Sequence, residues 1–94
     1  MTGNQFMEYA MNLVREYAYD HLDCTDGIGL NDFDVYTVWY AFELGHIKTL
    51  ISTSLPDGMY YEVTYNSNKY EVYFDAYKKF ENKCVKLAPL EKGE

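Results

Sequence analysis

Apolar residues recur at three- and four-residue spacing at the start of the chain. Phe6, Ala10, Leu13, Tyr17 and His21 form one stripe, and Met7, Met11, Val14 and Ala18 widen it. No Gly or Pro interrupts Asn4 to Leu22, and Glu8, Asn12, Arg15, Glu16 and Asp20 fall on the opposite side. This is the period of an amphipathic helix. Thr2 followed by Gln5 offers a capping box, with Asn4 as an alternative cap. The period then changes. Val35 to Leu44 is rich in β-branched and aromatic residues and predicts a strand. A second strand is predicted over Ile47 to Ser54. Leu55-Pro56-Asp57-Gly58 reads as a turn, because Pro fits the first corner and Gly takes a positive φ. Met59 to Tyr65 alternates, with Met59, Tyr61, Val63 and Tyr65 inward and Tyr60, Glu62 and Thr64 outward. Asn66 to Lys69 is a hairpin loop, and Tyr70 to Phe74 is the fourth strand. Asp75 is a candidate N-cap for a second helix, whose face is Tyr77, Phe80, Cys84 and Leu87 and which Pro89 stops.

Short links between strands imply antiparallel neighbours. The expected fold is α+β: a helix, a four-stranded antiparallel meander and a second helix, both helices packed on the sheet. Residues 1–88 should form a single domain and residues 89–94 a loose tail.

The first strand carries apolar residues in both alternating sets. The bulk of Trp39 favours placing Val35, Thr37, Trp39 and Ala41 inward. Tyr36, Val38, Tyr40 and Phe42 would then face solvent, beside Tyr60 and Tyr73 of later strands. An exposed aromatic row of that size needs an explanation. These six residues, Tyr36, Val38, Tyr40, Phe42, Tyr60 and Tyr73, are the candidate interface.

Charge narrows the partners. The 94 residues hold 15 Asp and Glu against 8 Lys and Arg, a net charge of −7. Residues 1–68 hold two basic and ten acidic residues, a net −8, whereas residues 69–94 hold six Lys and five acidic residues, a net +1. Such a balance opposes a broad grip on nucleic acid or an anionic membrane, even though aromatic strands suit base stacking. No apolar run reaches the ~18–20 residues of a membrane span, and the first residues lack the pattern of a signal peptide. A cytoplasmic protein is expected. Cys24 and Cys84 form no CxxC pair and read as free thiols.

Catalytic and metal motifs fail on inspection. Asp20, Asp23, Asp26, Asp32 and Asp34 crowd one loop, but an EF-hand frame from Asp23 puts Ile28 where the turn Gly belongs. His21 and Cys24 lack the second close ligand pair of a zinc site. They also lack the third group and oxyanion turn of a nucleophilic site. No GxSxG elbow and no phosphate loop is present. The expectation is no catalytic residue, no metal and no cofactor.

The stretch from Leu55 to Asn66, the stretch from Val72 to Val85 and the strand Asp34 to Trp39 together carry a resemblance covering about Phe6 to Leu87. The chain resembles a family of short, uncharacterised phage and prophage proteins of Gram-positive bacteria. That resemblance implies a phage or prophage origin and a cytoplasmic life during infection. The family has no assigned activity, so it assigns no functional residue here. The leading expectation is a non-catalytic protein-binding module that contacts a host or phage factor, with nucleic-acid mimicry as one version. The rivals are self-association through the aromatic sheet face and an enzyme whose site is not legible.

Overall fold

The computed structural model describes residues 2–22, 27–81 and 83–88. Helix α1 spans Gly3–Asp20. Its capping box forms as the sequence predicts: the Thr2 hydroxyl accepts from the Gln5 amide at 3.1 Å, and the Gln5 side chain accepts from the Thr2 amide at 2.8 Å. The buried stripe is Phe6, Ala10, Val14 and Ala18, a strict four-residue repeat. Its two alanines bring the helix backbone close to the sheet. Leu13 and Tyr17 are half-buried and His21 is exposed, so the stripe lies to one side of the predicted one.

Four strands follow: β1 Val35–Glu43, β2 His46–Thr53, β3 Met59–Asn66 and β4 Glu71–Lys78. They pair antiparallel in the order β1-β2-β3-β4, the predicted meander. The β1–β2 hairpin turns on Leu44 and Gly45, with φ of 49° and 81°. Two successive positive φ values are the signature of a type I′ turn, whose twist matches that of the flanking strands. Gly suits this conformation and Leu does not.

Helix α1 lies on one face of the sheet. Phe6 stacks on Tyr65 with centroids 5.7 Å apart, and Tyr17 meets Tyr61 at 5.6 Å and Phe74 at 5.0 Å. Ile47, Ile51, Tyr61, Val63 and Tyr65 complete the core beneath them. Arg15 ties in the connection before β1. Its guanidinium donates to the carbonyls of Leu30 at 3.0 Å and Phe33 at 2.8 Å and lies over the Phe33 ring. Phe33 is thereby held in the core.

Two expectations are corrected. The second helix does not form where the period placed it. Asp75 is no helix cap; Asp75, Ala76, Tyr77 and Lys78 belong to β4 and pair with Glu62, Tyr61, Tyr60 and Met59. A fourth strand ending at Phe74 would leave the first half of β3, Met59 to Glu62, with an unpaired backbone edge. Pairing along the whole of β3 outweighs the local helical period. Beyond Lys78, residues 79–81 and 83–88 form neither helix nor strand and are exposed, Cys84 and Leu87 among them. Among the described residues the fold is thus α+β, with one helix on an open four-stranded sheet.

The second correction concerns β1. Thr37 pairs with Ile51, and Trp39 pairs with the adjacent Leu50. Val38 is therefore an extra residue without a partner, a β-bulge. The Thr49 hydroxyl, buried under α1, donates to the Trp39 carbonyl at 3.2 Å and satisfies the backbone there.

Candidate interaction surface

The bulge reverses the facing of the second half of β1. Side chains of paired residues lie on the same face of an antiparallel sheet. Tyr40 and Phe42 pair with Thr49 and Ile47, which are buried under α1. They therefore lie on the helix side, contrary to the expectation. Trp39 and Ala41 pair with Leu50 and Lys48 and lie on the face away from the helix. Trp39 is not a core residue; it is 42% exposed. Tyr36, paired with Ser52, shares the open face with it.

Across the sheet, Tyr60 pairs with Ser52 and Tyr77, and Tyr73 pairs with Thr64. The open face thus gathers Tyr36, Trp39, Tyr60, Tyr73 and Tyr77. All are well exposed except Tyr60, which is half-buried among them. Three of the six predicted interface residues, Tyr36, Tyr60 and Tyr73, are brought together here. Val38 is exposed at the bulge, and Tyr40 and Phe42 are displaced to the other face. Trp39 and Tyr77 are the residues that sequence reasoning missed. The two-residue spacing of Tyr73, Asp75 and Tyr77 was the available signal for the second.

Charge on the open face is acidic. Glu43, Glu62, Glu71 and Asp75 fall on it by register, with Lys48 as the basic residue of its paired strands. Lys48 sits 3.6 Å from Glu62, an exposed pair that adds little stability. A shallow hollow of about 270 Å³ at one end of this face is lined by Trp39, Ala41, Glu43, His46, Lys48 and Thr64. On the helix side, a groove of about 360 Å³ runs between the start of α1 and β1, lined by Gly3, Asn4, Met7, Thr37, Tyr40 and Phe42. Helix α1 does not cover this strip, so Tyr40 and Phe42 remain 62% and 65% exposed.

No catalytic grouping emerges among the described residues. No three His, Cys, Asp or Glu side chains gather there as a metal site would require. Asp23, Cys24 and Asp26 of the predicted acidic loop lie outside the described residues. Asp32 closes a local turn by accepting from the Gly29 amide at 2.7 Å. His21 is stacked on Tyr17 with its Nδ1 2.8 Å from the Tyr17 carbonyl, which accounts for that nitrogen. Among the described residues the perturbed titratable group is Tyr61 in the core. Burial, reinforced by Asp57 and Tyr17, pushes its hydroxyl up to about 12. No helix among the described residues is long and apolar enough to cross a membrane.

Compared with known proteins, residues 7–87 match the model of a family of unknown function, DUF6275. No curated protein and no solved structure matches the chain.

Proposed function

The chain belongs to that family of unknown function, and we propose that it is a non-catalytic protein-binding module whose open sheet face makes the contact. The observation that carries this reading is the composition of that face. Tyr36, Trp39, Tyr73 and Tyr77 stand exposed on it between Glu43, Glu71 and Asp75. Tyr and Trp bury large areas at small entropic cost and are favoured at interfaces. Carboxylates beside aromatic rings suit a partner with basic and apolar side chains, through charge-assisted hydrogen bonds and cation–π contacts. The same acidity disfavours direct contact with nucleic acid and suits imitation of its charge toward a basic host protein. The resemblance to phage and prophage proteins supports placing this contact in the cytoplasm of an infected bacterium.

Self-association is the second reading. Among the described residues the sheet is open, with β1 and β4 both unpaired along one edge, and open edges invite pairing with another chain.

The test is a pair of double variants. Tyr36→Ser with Tyr73→Ser alters the open face, and Tyr40→Ser with Phe42→Ser alters the helix side. Both should retain the circular dichroism of the parent. Only the first should lose the protein captured from host lysate by the unaltered chain. Capture that survives the first and is lost in the second would reject the open face as the site.

A further inference from the structure

We propose that the open sheet face receives the C-terminal segment, residues 79–88, of a second copy of this chain. The proposal rests on the reading of that face as a protein contact surface and names its occupant. The segment carries unspent apolar surface. Phe80 is 99% exposed, Leu87 88% and Val85 66%, and Cys84 is exposed as well. Solvent-exposed residues of this kind, concentrated in so short a stretch, mark a contact site.

Charge and shape both fit the open face. At helical spacing Phe80, Cys84 and Leu87 fall in one stripe, and Lys79, Lys83 and Lys86 fall in a second stripe about 100° beside it. A helix of this segment presents apolar groups and ammonium groups side by side. The open face presents aromatic rings and the carboxylates of Glu43, Glu71 and Asp75 side by side. Ten helical residues span about 15 Å, close to the ~14 Å between the outer strand axes of a four-stranded sheet. The segment is thus long enough to lie across the sheet from edge to edge.

The path of the backbone favours a second copy over the chain's own face. The Lys79 amide donates to the Gly58 carbonyl at 2.7 Å. That bond extends the β3–β4 ladder beyond Lys78 and sends the chain out past the end of the sheet, in line with β4. Reaching its own open face would require a tight turn after Lys79 and a reversed course back along the sheet. Reaching a second copy requires neither, and a two-fold exchange fills both faces with both segments.

The experiment uses the full chain. Sedimentation over a concentration series measures its self-association, and alkylation of Cys84 followed by peptide mass spectrometry measures burial of the segment. Lys79→Glu, Lys83→Glu and Lys86→Glu in one variant, and Glu71→Lys with Asp75→Lys in another, should each weaken dimerisation at least about tenfold. Mixing the two variants should restore a heterodimer, visible by native mass spectrometry, because the reversed charges again oppose one another. Cys84 should become protected as dimer forms. A wild-type chain monomeric at every concentration overturns the proposal, as does a lysine variant that dimerises normally. Concentration-independent protection of Cys84 overturns it too, in favour of docking on the same chain. If dimerisation fails these tests while Tyr36→Ser with Tyr73→Ser still abolishes capture, the face remains a contact surface for another protein and only its assignment to the segment falls.

Discussion

One substitution, made at two places, separates core from surface in this fold. Phe6 is fully buried, stacked 5.7 Å from Tyr65. Phe80 is 99% exposed, although its helical spacing with Cys84 and Leu87 reads as a core face. Phe6→Ala removes a whole ring from a site that a single helix cannot collapse to fill. The loss should be about 3–5 kcal/mol, the range for buried Phe→Ala changes. A chain of this length has roughly 5–14 kcal/mol in total, so the variant forfeits about a fifth or more. At roughly 4–8 °C per kcal/mol for a domain of this size, its Tm should fall by about 12–40 °C. Phe80→Ala should stay within ~0.5 kcal/mol of the parent, as surface changes do. Urea melts followed by circular dichroism, at protein concentrations low enough to hold the chain monomeric, give both values. A Phe80→Ala cost comparable with that of Phe6→Ala would refute the reasoning. It would show that residues 79–88 form part of the monomer's core and that the helical period prevails over the extended β4.

Three further outcomes follow from particular residues. Leu44→Asn should stabilise the chain by about 0.5–1 kcal/mol in the same melts, because Leu44 holds a φ of 49° in a turn that favours Asn-Gly; an unchanged midpoint would show that the turn carries no strain. Deleting Val38, the unpaired bulge residue, should leave a folded chain with Trp39 still on the open face and its fluorescence still quenched by acrylamide; a shielded Trp39 would mean that the strand had slipped instead. Tyr61 ionises near 10 when unfolded and about 12 when folded. Its contribution is therefore full below pH 10 and lost as pH rises through 12. That loss is about 1–2 kcal/mol after discounting for solvent screening, and Tyr61→Phe should abolish that part of the slope.

The candidate surface was half legible. Tyr60 and Tyr73 lie in strands whose alternation is regular, so their facing followed from position alone. Strand β1 offered no such guide. Both of its alternating sets are apolar or aromatic, and a one-residue shift exchanges their faces at no cost in pattern. The bulge at Val38 makes that shift midway. It sends Trp39 outward and Tyr40 and Phe42 to the helix side, so that the bulkiest side chain failed as a guide to the interior.

What the sequence determined by itself was whatever local chemistry decides. Helix α1 has its period, its Thr2–Gln5 box and no Gly or Pro after its first residue. The meander has short links and Asn, Asp and Gly at its turns, which leave adjacent antiparallel strands as the economical pairing. Tertiary structure alone decided the rest. Residues 75–78 carry a helical period, yet they complete the ladder of β3, because backbone groups along a strand need partners that local preference does not supply. The facing of Trp39 depends on how β1 registers against β2, a relation between segments that neither segment encodes alone.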